Sequence, residues 1–244
     1  GKINSVGQDK YGFIWIATGY GLNRYNGYEI ELFSSAKDDS TTIPNNLIRS
    51  QHTSASSNIY FTSPGGLSRY VYARQEFEQH PFGIQNTITI IAEPEPGTLW
   101  MYGSDGLFIL DESTGGITML NEHPDTLIRT LARTQILDMA SADGGILYFA
   151  TSSGLFRLDT RTWSARQYTH DENDPSTICS NDLRNIAVDH EGMVWIATDY
   201  YGSRLTRFDP VKGTFQRYDQ FYAARKDWAD NRIMDLLVDS HGRL

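Results

Sequence analysis

The sequence predicts an all-β fold, a β-propeller built from four-stranded blades. Three observations lead to this prediction: one short motif recurs at a spacing of 40 to 48 residues, its residues alternate as strand residues do, and turn residues separate the strands. The motif is an aromatic strand followed in most copies by Gly-Leu. It occurs as GFIWIATGYGLNRY, NIYFTSPGGLSRY, TLWMYGSDGLFIL, ILYFATSSGLFRL and VWIATDYYGSRLTRF.

The first copy of the motif shows the four strands of a blade in order. INSVGQD is predicted as the first strand. FIWIAT, the second, places Ile14 and Ile16 on one face and Phe13, Trp15 and Ala17 on the other, which is typical of a strand buried on both sides. LNRY and GYEIELF supply the third and fourth strands. Four short strands in each repeat are the pattern of a propeller blade.

Turn residues support the same assignment. Asp9 and Asp189 each begin a turn in which glycine follows three residues later, as Gly12 and Gly192. An aspartate there can bond the turn backbone, and glycine can adopt a positive φ. We interpret these aspartates as hairpin caps, the alternative being metal ligands.

The large aromatic of each second strand is predicted to be a structural core residue between adjacent blades. These residues are Trp15, Tyr60, Trp100, Tyr148 and Trp195. The blades are predicted to span 3–47, 48–87, 88–135, 136–183 and 184–231, and 232–244 is predicted to start a sixth. Residues 1–244 are therefore expected to form one partial propeller, part of a seven-bladed one in a longer protein whose remaining blades are partners of this chain.

Charge, apolar content and cysteine count limit the kinds of partner that this chain is expected to bind. The formal net charge is −9, and only 21 Lys and Arg residues are present, so nucleic-acid binding is not expected. No run of 18 apolar residues occurs, and no membrane contact by this chain is expected. Cys179 is the single cysteine, which excludes an intramolecular disulfide and a thiolate metal cage.

Two units carry a resemblance to a known family. DKYGFIWIATGYGLNRYNG and DHEGMVWIATDYYGSRLTRFDP resemble the two-component regulator propeller repeat, although Ala17 and Ala197 stand where that family usually has glycine. The resemblance implies an N-terminal periplasmic sensor region of an inner-membrane hybrid histidine kinase, a homodimeric parent protein, and recognition of an oligosaccharide or glycan breakdown product. It also implies that a conformational signal passes to a cytoplasmic kinase.

No catalytic residue, metal site or cofactor is predicted. The motifs of zinc proteases, serine hydrolases and P-loop proteins are missing. DENDPSTICSND, at 171–182, lacks the glycine that a calcium loop requires at its sixth position. A sensing module is favoured, with a propeller enzyme such as a lyase and a purely structural scaffold as the open alternatives.

Long connections predict where a ligand binds. The connections from a fourth strand to the next first strand occupy 34–46, 121–135, 169–182 and 219–231, and long loops at one face commonly carry binding residues. The fifth blade also has a three-residue insertion. Exposed aromatic and charged side chains suit sugar recognition. The candidate ligand-binding residues are Tyr20, Asp199, Tyr200, Tyr201, Arg204, Arg225 and Trp228.

Overall fold

The computed structural model describes residues 2–198, 205–218, 233, 235–239 and 244. The chain forms two compact units, Gly1–Leu120 and Asn121–Leu244. Each unit consists of antiparallel four-stranded sheets in which the strands follow one another in sequence order. The prediction of an all-β fold of four-stranded blades is confirmed.

Three blades make up the first unit. Blade 1 contains β1 (Ile3–Gln8), β2 (Ile14–Thr18), β3 (Gly21–Tyr25) and β4 (Ile30–Phe33). Blade 2 contains β5 (Ser50–Thr53), β6 (Ile59–Ser63), β7 (Gly66–Val71) and β8 (Glu76–Gln79), followed by a 3-10 helix, Pro81–Gly83. Blade 3 contains β9 (Ile88–Glu95), β10 (Thr98–Gly103), β11 (Gly106–Asp111) and β12 (Ile117–Met119).

The second unit begins with a helix, α1 (Thr126–Arg133), and continues with two blades. Blade 4 contains β13 (Ile136–Ala142), β14 (Ile146–Thr151), β15 (Gly154–Asp159) and β16 (Ser164–Tyr168). Blade 5 contains β17 (Leu183–Val188), β18 (Val194–Thr198), β19 (Leu205–Asp209) and β20 (Thr214–Arg217). In the region predicted to start a sixth blade, the described residues 233, 235–239 and 244 form no strand.

Helix α1 was not predicted from the sequence. The carboxylate of Asp125 begins it by accepting hydrogen bonds from the backbone N–H groups of Leu127 and Ile128, at 2.8 and 3.0 Å. Ile128, Leu131 and Ala132 are buried, and the helix contacts β16, the edge strand of blade 4. The helix therefore lies against the outermost strand of blade 4.

The large aromatics of the second strands in blades 1, 2 and 4 lie against the following blade. Trp15 of β2 is fully buried, and its ring centroid lies 5.0 Å from that of Tyr70 in blade 2. In the second unit, Tyr148 of β14 lies 6.4 Å from Phe208 in blade 5. Of the five aromatic residues assigned to this position, four are at most 2% exposed, and Trp195 is partly exposed. Aromatic burial of this kind joins successive blades.

An aspartate in the β1–β2 turn connects the turn to the aromatic strand. One carboxylate oxygen of Asp9 accepts hydrogen bonds from two backbone N–H groups of the turn, at 2.9 and 3.0 Å. The other accepts a hydrogen bond from Trp15 Nε1 at 2.7 Å. Asp189 and Trp195 repeat this bond at 2.7 Å in blade 5. The aspartate is thus a hairpin cap that also satisfies the indole N–H of its blade.

Blade 2 lacks this aspartate, and blade 3 supplies a carboxylate in its place. Ser54 occupies the position of Asp9, and Glu112 Oε1 accepts hydrogen bonds from Ser54 Oγ at 3.1 Å and from the Tyr60 hydroxyl at 2.6 Å. Burial and the Glu112 carboxylate raise the pKa of Tyr60, so its hydroxyl stays a donor. Burial by itself would raise the pKa of Glu112. The hydrogen bonds that its carboxylate accepts, of which the bond from Ser56 has the largest effect, outweigh burial and lower the pKa.

We expect Glu112→Ala to lower the free energy of unfolding by about 2–3 kcal/mol, because it removes a charged acceptor from hydroxyl groups that stay buried. Chemical denaturation measures this loss. The control is Glu76→Ala, since the Glu76 side chain is 42% exposed and forms an ion pair with the exposed Arg74 at 3.5 Å. The control should change stability by less than about 0.5 kcal/mol. Equal losses in the two variants would contradict the assigned role of Glu112.

Candidate ligand-binding face

The long connections leave from one end of the strands in each unit. In an antiparallel blade, the turn after the second strand and the connection after the fourth strand are at the same end, which we call the loop end. In the first unit the loop end carries the β2–β3 turn and the connection from β4 to β5. In the second unit it carries the connection from β16 to β17. The predicted connection at 219–231 lies outside the described residues.

The connection after β4 contains its own hydrogen-bond network. Asp39 Oδ1 accepts hydrogen bonds from the backbone N–H and the hydroxyl of Thr41, at 2.9 and 2.6 Å. The Thr42 hydroxyl donates to the Asp39 carbonyl at 3.0 Å. The Asn46 carbonyl accepts from the backbone N–H of Gly21 at 2.8 Å, which ties the connection to the β2–β3 turn. The bonds from Thr41 lower the pKa of Asp39.

The connection after β16 repeats this network with different residues. Asp174 Oδ1 accepts hydrogen bonds from the backbone N–H and the hydroxyl of Ser176, at 2.8 and 2.6 Å. The Thr177 hydroxyl donates to the Asp174 carbonyl at 2.8 Å. The Asn181 carbonyl accepts from the backbone N–H of Gly154 at 2.7 Å. The two connections therefore share one scaffold, which holds a loop against the second turn of its blade.

A side chain from the fourth strand of the following blade anchors each scaffold. Gln79 Nε2 donates to the carbonyls of Thr42 and Asp39, at 2.7 and 3.2 Å. Arg217 Nε donates to the carbonyl of Thr177 at 2.9 Å, and its Nη2 donates to the Thr177 hydroxyl at 3.2 Å. Each loop is thus anchored on two successive blades.

The sequence signal for this scaffold is Asp-x-Ser/Thr-Thr-Ile, present at 39–43 and 174–178. This signal was not recognised in the sequence, where 34–46 and 169–182 were predicted only as long connections and 171–182 was also weighed as a calcium loop. The Asp174 carboxylate instead caps a turn. In the ranges that the structure describes, no group of three or more His, Cys, Asp or Glu side chains is placed to hold a metal ion.

Tyr20 lies in the β2–β3 turn and exposes 78% of its surface. Its backbone N–H donates to Thr18 Oγ1 at 3.0 Å, and the next N–H, of Gly21, is bound to the Asn46 carbonyl. An exposed ring on an anchored turn is suited to stacking on the apolar face of a sugar, because little backbone order is lost on binding.

The other predicted ligand-binding residues lie outside the described residues. They are Asp199, Tyr200, Tyr201, Arg204, Arg225 and Trp228.

A largely buried carboxylate joins the first strands of blades 4 and 5. Asp138 of β13 accepts hydrogen bonds from its neighbour Met139 N–H at 2.8 Å and from Ile186 N–H of β17 at 2.9 Å. Burial raises the pKa of Asp138 to about 7. The two N–H donors act in the opposite direction and lower the pKa, and the Asp235 carboxylate adds a smaller rise. This group therefore changes charge near neutral pH.

Solved structures similar to this chain include extracellular domains assigned to one- and two-component systems. One is the extracellular domain of a protein assigned as a hybrid two-component system in B. thetaiotaomicron, with 27% identity, a TM-score of 0.67, and coverage of 88% of this chain and 29% of that one. Another extracellular domain from B. thetaiotaomicron, assigned to a one-component system, has 18% identity and a TM-score of 0.69 over 88% of this chain and 31% of that one. This chain therefore spans about a third of the length of these structures.

An enzyme has the same type of fold. Virginiamycin B lyase from Staphylococcus aureus is 12% identical, with a TM-score of 0.60 over 88% of this chain and 69% of the lyase chain. That likeness concerns the fold alone. The sequence matches no model of a known protein family and no curated protein. Within the described residues, none of the helices has the length and apolar character needed to cross a membrane.

Proposed function

We propose that this chain is part of the extracytoplasmic ligand-sensing region of a hybrid two-component system, and that it recognises an oligosaccharide at the loop end of its blades. The observation that carries the proposal is the 27% identity over 88% of the chain to an extracellular domain assigned to such a system. Supporting it are the repeat motif of the sequence and the five four-stranded blades.

The loop end supplies groups that suit a sugar. Tyr20 offers an exposed ring, and the connection after β4 is tied to the same turn through the Asn46 carbonyl, so the backbone beside the ring is held in place. Sugar sites combine an aromatic face with a few oriented polar groups. The residues of the fifth-blade insertion, Tyr200, Tyr201 and Arg204, remain candidates for the same site.

Binding is tested first with a glycan array and then by calorimetry on the glycan that it identifies. We expect Tyr20→Ala to weaken affinity about three- to tenfold, the magnitude of one lost aromatic stacking contact. The matched control is Tyr28→Ala, since Tyr28 lies in the β3–β4 turn, at the opposite end of the same blade, and is 94% exposed. The control should bind as the unmodified protein does.

Three results would count against the proposal. They are an array without a glycan ligand, equal affinity loss in the Tyr20 and Tyr28 variants, and unchanged affinity when Tyr20→Ala is combined with Tyr200→Ala, Tyr201→Ala and Arg204→Ser.

The signalling step needs a second measurement. A ligand changes kinase output only if it binds one conformational state better than the other, so the quantity to measure is the change in kinase output of the complete protein when ligand is added.

A further inference from the structure

A row of three directly opposed residues crosses the second, third and fourth strands of a blade. In blades 1 and 2 this row consists of an aromatic residue, an arginine and a glutamate. Its members are Trp15, Arg24 and Glu31 in blade 1, and Tyr60, Arg69 and Glu78 in blade 2. Arginine Nη2 and glutamate Oε2 lie 2.5 Å apart in blade 1 and 2.6 Å apart in blade 2. In both blades the arginine of the row therefore has a carboxylate partner.

Blade 4 has a second arginine where blades 1 and 2 have the glutamate. Its row is Tyr148, Arg157 and Arg166, so two arginines are directly opposed on neighbouring strands. Among the residues that the structure describes, no carboxylate lies within ion-pair distance of either arginine. In blade 5 the arginine of the row, Arg207, pairs with Glu191 at 3.3 Å.

Contacts within blades 4 and 5 hold the two arginines in place. The Arg166 guanidinium carbon lies 4.8 Å from the centroid of the Tyr168 ring, which in turn lies 4.8 Å from the Phe208 ring of blade 5. Arg157 is half-buried. Burial raises the pKa of Tyr148, and the Arg157 guanidinium acts in the opposite direction, which places it beside the Tyr148 hydroxyl. The row therefore lies on the face of blade 4 that packs against blade 5.

The carboxylate of Asp159 is near Arg157 along β15 but is used by the turn that follows. Its Oδ1 accepts hydrogen bonds from the backbone N–H groups of Arg161 and Thr162, at 3.0 and 3.1 Å. The bond from the Thr162 N–H lowers the pKa of Asp159, and the charge of Arg157 adds a smaller effect. Asp159 therefore caps the β15–β16 turn and forms no ion pair with Arg157.

We infer that Arg157 and Arg166 form a binding site for an oxyanion, a carboxylate or sulfate group. Like charges directly opposed on two strands are destabilising, and an anion bound to both removes the repulsion. A planar guanidinium donates two parallel hydrogen bonds to the oxygens of such a group. The formal net charge of the chain is −9, so its overall field repels anions and the affinity comes from this local pair. The site does not depend on oligosaccharide binding at the loop end.

Calorimetric titration with inorganic sulfate at constant ionic strength tests the site. We expect the unmodified protein to bind sulfate at one site, and Arg166→Glu to weaken binding at least about tenfold. This substitution gives blade 4 the arginine–glutamate pair that blades 1 and 2 contain, so the fold should be kept. The control is Arg74→Glu, which changes the net charge equally at an exposed position outside the row and should bind sulfate normally.

Two further variants separate the charge of Arg166 from the shape of its guanidinium. Arg166→Gln is a second variant expected to fold, because Gln216 occupies the equivalent position in blade 5. Arg166→Lys keeps the positive charge but lacks the planar fork of N–H donors. We expect both to bind sulfate more weakly than the unmodified protein, and Arg166→Lys to bind it more tightly than Arg166→Gln.

Glucuronate and glucose show whether the anion is carried by a sugar. Glucuronate has a carboxylate where glucose has a hydroxymethyl group. Both sulfate and glucuronate should bind at this site, and glucose should not. Tighter binding of glucuronate than of sulfate would support the site and indicate an acidic sugar as its ligand. Tighter binding of sulfate would support the site and indicate a free anion.

Three results would overturn the inference: no saturable binding of sulfate or glucuronate, equal sulfate affinity in Arg166→Glu and the unmodified protein, and equal losses in Arg166→Glu and Arg74→Glu. Failure of the proposed loop-end site is distinguishable from these results, because Tyr20→Ala should leave sulfate affinity unchanged. A glycan array without a ligand likewise leaves the sulfate titration intact as a test.

Discussion

Replacement of Trp15 by alanine is expected to lower the free energy of unfolding by about 3–5 kcal/mol, the range for a large aromatic removed from a core. Trp15 is fully buried, and it packs against Phe61 and Tyr70 of blade 2 at ring distances of 5.1 and 5.0 Å. The substitution also leaves the second carboxylate oxygen of Asp9 without its indole donor. Both effects fall on the same blade interface.

Urea unfolding followed by tyrosine and tryptophan fluorescence measures the loss. Tyr28→Ala serves as the control, because Tyr28 is 94% exposed, and it should change stability by less than about 0.5 kcal/mol. A loss below about 1 kcal/mol for Trp15→Ala would contradict its place in the core between blades 1 and 2.

Asp138 is expected to make stability fall as the pH rises from about 4 to about 7. Its ordinary pKa of 3.8 applies to the unfolded chain, and burial raises the pKa to about 7 in the folded protein. Between these values only the folded protein holds the proton, so a rise in pH favours unfolding. A difference of roughly three pKa units corresponds to about 4 kcal/mol, lost progressively across this range.

Asp138→Asn isolates this contribution, because asparagine stays neutral. The amide nitrogen of asparagine cannot accept one of the two backbone N–H bonds that the carboxylate oxygens accept, so the variant should be less stable than the unmodified protein near pH 4. Relative to the unmodified protein it should gain up to about 4 kcal/mol between pH 4 and pH 8. Asp143→Asn, at an exposed position in the β13–β14 turn, should keep the original pH dependence. Thermal unfolding across the pH range compares the three proteins. Parallel profiles for Asp138→Asn and the unmodified protein would show that Asp138 is not the responsible group.

The blades were predictable because their signals are local. Alternation in FIWIAT, the glycine of the β1–β2 turn and the Asp9 cap all act within a few residues of each other. Helix α1 was missed because it has only eight residues, too few for a helical period to stand out. The shared loop scaffold was missed for another reason: its pattern recurs 135 positions apart, from Asp39 to Asp174, and its bonds use residue types that are common in any loop.

The sequence by itself determined the repeat, the strand alternation and the turn chemistry, since each depends on neighbours along the chain. Only the tertiary structure decided how the blades satisfy one another. Glu112 supplies the carboxylate that the turn at Ser54 lacks, and the Tyr72 hydroxyl adds a hydrogen bond to Asp9 at 2.5 Å from the next blade. These partners lie more than 50 residues apart. Their pairing depends on which side chains two packed sheets bring together, and no local pattern records that.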